Sequence, residues 1–123
     1  LVFRGHARVG RPGGGCVTFL KDGLQYHRRQ DAGDLECVVV EVWSVKGVVS
    51  VVNFYNPGVR LVGDDLHGLL SEDAASVLWV GDFNAHSGLW GDWHNDGNGK
   101  VLEDFLDRSG LVVLNDGRPT WFG

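Results

Sequence analysis

Two long β-branched runs, residues 35–43 and 48–55, restrict what this chain can fold into more than any other feature. Valine, phenylalanine, tyrosine and tryptophan suit the pleated, half-buried surface of a sheet. The join between the runs is short and contains Lys46-Gly47, so the spacing predicts two antiparallel neighbours. The second run stops at Asn56-Pro57-Gly58, where proline can no longer donate to a ladder.

A third run, Val77-Leu78-Trp79-Val80, is apolar throughout and reads as a fully buried strand. It ends at Gly81, where the backbone can turn sharply, and then presents Asp82 and Asn84 two residues apart. If the extended conformation continues, both side chains lean the same way and reach one ligand atom. A carboxylate takes a proton from water or binds a cation, while an amide orients a phosphate oxygen. Taken alone, the same residues also describe an Asx-rich turn after a strand.

Around these runs, residues 15–20 predict a further strand and residues 1–12, Gly/Arg-rich without periodicity, a loop. Residues 61–70 predict a helix with Leu61, Leu66, Leu69 and Leu70 as its apolar stripe. Residues 100–109 predict a second, with Val101, Leu102, Phe105 and Leu106 on one face and Gly110 as its stop. Residues 111–114 and 120–122 read as two more strands. Runs of strands with helices inserted between them indicate an α+β class, with two β-sheets packed face to face and helices outside.

One domain is the ceiling for 123 residues with 43% hydrophobic content, and nineteen glycines fit a loop-rich β architecture. No apolar stretch is long enough for a membrane span, and no charged-then-apolar leader is present. The formal charge of −5 argues against a strong non-specific nucleic-acid binder, yet it is unevenly spread. Residues 1–30 hold six Lys and Arg against one acid, a basic segment able to contact phosphates or simply a solvated loop. Cys16 and Cys37 both lie in apolar strand patterns, as reduced core thiols do. The absence of Met and an ending at Trp121-Phe122-Gly123 fit the middle of a longer domain.

Read together, Gly81-Asp82-Phe83-Asn84-Ala85-His86, the following Trp90-Gly91 and Gly99-Lys100-Val101-Leu102, the upstream Asn53-Phe54-Tyr55-Asn56-Pro57 and the downstream Leu114-Asn115-Asp116-Gly117-Arg118-Pro119-Thr120 resemble the endonuclease/exonuclease/phosphatase family. Within it they resemble the apurinic-type endonuclease domain of jockey-like non-LTR retrotransposons. The resemblance implies a four-layer αββα sandwich, of which residues 1–123 are the central part with both ends missing. It implies metal-dependent phosphodiester hydrolysis with Mg²⁺ (or Mn²⁺), DNA as substrate, a reverse transcriptase domain in the same polyprotein, no membrane, and an intracellular, nuclear place of action.

The roles follow residue by residue from that resemblance. Asp82 matches the residue that activates the water, Asn84 the residue that positions it or holds the phosphate, and both stand as metal ligands. Tyr55 matches a tyrosine whose hydroxyl meets the phosphate, against the alternative of a buried aromatic. Thr120 matches a phosphate-binding threonine, against the alternative of strand filler. His86 reads as a loop residue or supporting donor, not as the general acid. The family's main metal-binding glutamate is expected before residue 1 and its phosphate-polarising histidine after residue 123, so the chain alone is expected to be inactive. Glu36 and Glu41 lie past the metal-ligand position. A phosphatase or phosphodiesterase of the same fold, and a non-catalytic relic of a mobile element, are the competing readings.

Two further patterns are misleading. Asp92-x-His94-x-Asp96-Gly97 with Glu103 falls near the register of a calcium loop, but its third position is His and Gly99 stands where an apolar anchor belongs. The glycines at 10 and 13–15 precede a strand, so they are not a phosphate-binding loop.

Overall fold

The computed structural model describes residues 2–4, 15–29 and 35–119. The strands are β1 (Val2–Arg4), β2 (Val17–Phe19), β3 (Tyr26–Arg28), β4 (Glu36–Ser44), β5 (Gly47–Tyr55) and β6 (Ser76–Asp82), with helices α1 (Gly63–His67) and α2 (Gly97–Ser109). Two compact units are formed: residues 1–57 with 68–83, and residues 58–67 with 84–123.

The first unit is β-rich. β4 and β5 pair antiparallel from Ser44↔Gly47 to Glu36↔Tyr55, as the short join predicts, and β3 extends the sheet on the β4 side. β6 joins β5 in parallel, giving the mixed order β3-β4-β5-β6. β1 and β2 form a second, two-stranded sheet. Cys16, beside β2, packs with Val38 and Val40 of β4, and Leu20, Val42 and Tyr55 surround them. Asn53 Nδ2 donates to Val17 O (3.0 Å) and Thr18 Oγ1 (3.2 Å), which ties β2 to β5. The opposite face buries Cys37, Val39, Val52 and Phe54. Sheets and helices together give the α+β class that the sequence predicts.

Several local expectations are corrected. β1 lies inside the segment expected to be loop, because Val2–Arg4 finds β2 as a partner. β3 falls in a polar stretch with no alternation, and its edge position explains why polar residues suffice. Arg29, expected in a solvated basic segment, donates to Leu69 O (2.7 Å) and Gly68 O (3.4 Å). β6 is not fully buried: its residues alternate, and Leu78 and Val80 are each 43% exposed. Among the described residues only β5 pairs with it, so β6 is an edge strand of its sheet. Residues 111–114 form no strand; Val112 and Leu114 are largely exposed, and no described strand offers them a ladder. The strand expected at 120–122 lies outside the described residues.

The second unit is built on α2. Its Leu102 and Phe105 are buried, as is Leu66 of α1, and the His67 ring meets Phe105 edge-on at 4.9 Å. α1 is one short turn instead of the expected ten residues, because the Leu61 N–H goes to Asn98 Oδ1 (2.8 Å) and not into a helix. α2 starts three residues earlier than expected, capped by Asp96, and stops at Gly110, whose φ of 75° only glycine adopts cheaply. No helix among the described residues is long and apolar enough to cross a membrane.

Candidate active site

The end of β6 is shaped by backbone proximity. A Cβ on Gly81 would sit 1.8 Å from Phe54 O, and its φ is +142°, so only glycine fits beside β5 here. The parallel register then sets Asp82 opposite Tyr55, and the antiparallel register sets Tyr55 opposite Glu36. Glu36, Tyr55 and Asp82 therefore form one row across three strands: buried, half-buried and exposed in that order. Glu36, which the sequence sets aside as lying past the metal-ligand position, stands at the buried end of this row. Its signal was available only through the register, since nineteen residues separate it from Tyr55 along the chain.

Asn56 holds this rim together. It is 1% exposed; its N–H donates to Asp82 O (2.7 Å) and its amide to Phe83 O (2.9 Å). Below it, Phe83 stacks on Phe54 at 5.3 Å and Trp79 lies 6.1 Å from Phe54. A buried amide and an aromatic cluster thus hold the backbone from which Asp82 projects. The thiols sit on opposite faces of β4. Cys16 Sγ donates to Glu36 O (3.2 Å), and burial pushes the Cys37 thiol up to about 11.

The second unit holds the polar residues that follow. Asn84 has φ +45°, so the extended conformation stops at Asp82 and the period-two argument does not reach Asn84. Its carbonyl accepts from Asn98 Nδ2 (3.3 Å), which also donates to Val59 O (2.9 Å). Asn98 thus ties the Asn84 backbone to Val59, and no sequence pattern flags it. Ser87 is buried and donates to Glu103 Oε1, while accepting from Leu89 N (3.0 Å). Trp90 Nε1 donates to Ala85 O (3.1 Å), and a Cβ on Gly91 would clash with Gly117. The residues after the Asp-Asn pair are therefore a brace.

His86 lies in the same loop, where its Nδ1 is 2.6 Å from Asp92 Oδ2. That hydrogen bond holds the Asp92 carboxyl below its ordinary range. Thr120 lies outside the described residues.

Residues 49–122 match the Endonuclease-reverse transcriptase family. The chain belongs to that family. It is 25% identical over 125 residues to the RNA-directed DNA polymerase from mobile element jockey of Drosophila melanogaster, an alignment covering 99% of this chain and 14% of that protein. The endonuclease domain of TRAS1, a telomere-specific non-LTR retrotransposon, shares the fold with a TM-score of 0.79 at 20% identity, over 95% of this chain and 56% of that one. This member of the endonuclease-reverse transcriptase family thus spans a small part of the curated relative and about half of the solved domain. Within the matched span lie the Asp82 rim, Asn84 and the His86 loop.

Proposed function

We propose that this chain contributes part of the active site of a DNA endonuclease that hydrolyses a phosphodiester bond of target DNA for retrotransposition. The observation that carries the reading is the strand end where Gly81 sets Asp82 in register with Tyr55 in a chain of this family. Asp82 takes the proton of the attacking water, Asn84 positions that water or a phosphate oxygen, and the Tyr55 hydroxyl donates to the phosphate. Thr120 adds a donor on the same phosphate. The partners in this reading are DNA and the reverse transcriptase domain of the same polyprotein, acting in the nucleus.

Hard oxygen donors suit Mg²⁺ or Mn²⁺, and the Asp82 carboxylate with the Asn84 amide oxygen supplies two of them. When bound, the cation neutralises charge that builds on the phosphate. Two donors do not by themselves fill an octahedral shell, so in this reading further ligands complete the site and the 123-residue chain alone does not nick.

Nicking of supercoiled plasmid by a chain extended at both ends tests the reading. Asp82→Asn keeps the side-chain shape but removes the proton acceptor, so the rate falls by about 10² or more. A near-normal rate for that variant at matched folded content would remove Asp82 from the role of base. Mg²⁺-dependent nicking by the 123-residue chain, abolished by Asp82→Ala, would overturn the need for outside ligands.

A further inference from the structure

The loop before α2 gathers two imidazoles and two carboxylates in an arrangement that the endonuclease reading does not use. His86 and His94 stack with ring centroids 4.4 Å apart. Asp92 lies beside both: Oδ2 is 2.6 Å from His86 Nδ1, a hydrogen bond, and Oδ1 is 3.3 Å from His94 Nδ1, which has no hydrogen-bond partner among the described residues. On the other side, Asp96 Oδ2 lies 3.9 Å from His86 Nε2. One ring nitrogen of each histidine and one oxygen of Asp96 all lie within 4.8 Å of one another.

The bonding around this cluster fixes which atoms are left to bind something. Asp92 accepts from His86 Nδ1, so Nε2 is the ring nitrogen turned toward Asp96. Asp96 Oδ1 is already occupied, accepting from Gly99 N (2.7 Å) and His86 N (3.0 Å). These two bonds lock the carboxylate rotamer and leave Oδ2 toward Nε2. His86 Nε2 and Asp96 Oδ2 then face each other across 3.9 Å, a span that a shared cation can bridge. Bonds of about 2.0–2.2 Å from a metal to imidazole nitrogen and carboxylate oxygen fit that gap after a small closure.

We propose that His86, His94 and Asp96 form a binding site for a borderline divalent transition metal of the zinc class, with Asp92 as the carboxylate that orients the His86 imidazole. Two imidazole nitrogens select such an ion over magnesium or calcium, which take oxygen donors. Three protein ligands leave a fourth position for water or an oxyanion. The calcium-loop spacing noted in the sequence is explained without calcium. Asp92, His94 and Asp96 do converge, but on His86, while Glu103 is held by Ser87 and supplies no ligand. Gly99 is required because a Cβ there would lie 1.9 Å from His86 O, so the helix start can close beneath the histidine. Bound metal staples the loop to the first turn of α2.

The test is titration of the 123-residue chain with Co²⁺ and Zn²⁺ in excess Mg²⁺. Expected are one saturable equivalent, a visible Co²⁺ absorption band, and selective shifts of the His86 and His94 ring signals by NMR at substoichiometric Zn²⁺. His94→Ala abolishes the band, Asp92→Asn weakens binding by about 10–100-fold, and His27→Ala changes nothing. Absence of saturable binding, or binding that His86→Ala and His94→Ala leave intact, overturns the site. The NMR readout needs no variant: shifts at His27 or His67 instead of His86 and His94 overturn it as well. None of these measurements depends on nicking, so the endonuclease reading stands or falls separately.

Discussion

The sheet and the loop-and-helix unit are stabilised in different ways. The sheet rests on backbone ladders and on valines and aromatics buried between strands, with β4 and β5 in register along their whole length. The loop of residues 84–96 has no ladder; side chains accept or donate for its backbone, chiefly Asp96, Asn98, Ser87 and Trp90. A ladder spreads its energy over many bonds, whereas such a loop concentrates it in a few residues. Mutational sensitivity should therefore track backbone approach in the first unit and single polar side chains in the second.

The largest effect belongs to Gly81→Ala. The new methyl has to displace Phe54 O from a 1.8 Å approach at a φ of +142°, which parts β6 from β5. A loss of about 4 kcal/mol or more is expected in denaturant unfolding, with protection lost across β5 and β6 together. A loss under about 1 kcal/mol would show that the strand end can shift without cost, and the contrast drawn above would fail on its sheet side.

Asp96→Ala comes next and probes the other side. It removes the acceptor of two N–H groups, His86 and Gly99, so about 2 kcal/mol is expected. Hydrogen exchange should accelerate in residues 84–100 while the sheet amides hold. Equal acceleration in the sheet would break the comparison. The same carboxyl has a pH signature: burial raises it, but the two N–H donors outweigh that and hold it below its ordinary 3.8. A depressed folded-state value stabilises above 3.8 and is lost as pH falls below it, and Asp96→Ala should flatten that acid limb.

These two residues also mark what the sequence makes legible. Runs of period two or continuous β-branching announce β4, β5 and β6, and the Gly81 stop announces a polar rim. Register then places Tyr55 opposite Asp82, which the strand ends alone imply. The bonds of Asn98 stay hidden because its partners lie far along the chain, and the place of Glu36 in the row shows only through register. The apolar run Leu111-Val112-Val113-Leu114 mimics a strand because composition reports a propensity and not a partner. Asp92, His94 and Asp96 are visible as a spacing that the sequence rightly refuses to calcium, but their approach to His86, and the bond that Ser87 makes to Glu103, appear only in the fold.

A smaller effect sharpens the account of the sheet. Burial raises the Cys37 thiol to about 11 from an ordinary 9.0, so the folded state keeps its proton where the unfolded chain has lost it. Stability from this source is complete below pH 9 and is lost as pH rises toward 11. Cys37→Val should remove that alkaline decline while leaving the neutral-pH midpoint little changed. A decline of the same size in the variant would place its cause elsewhere.

The smallest expected effect separates buried bonding from surface charge in the second unit. Lys100 Nζ and Asp104 Oδ1 lie 3.1 Å apart one turn along α2, both well exposed, with the cation on the N-terminal side. That order is the less favourable one for a helical pair, and a cation near the helix N-terminus opposes the helix dipole. Solvent screens what attraction remains. Lys100→Ala should therefore move the melting temperature by less than about 2 °C, in either direction, and the shift should vanish in high salt. The argument that a few capped and buried groups hold this unit depends on that result. A salt-sensitive drop as large as that of Asp96→Ala would mean that exposed ion pairs carry the helix, and the weight given to Asp96 and Asn98 would have to move to the surface.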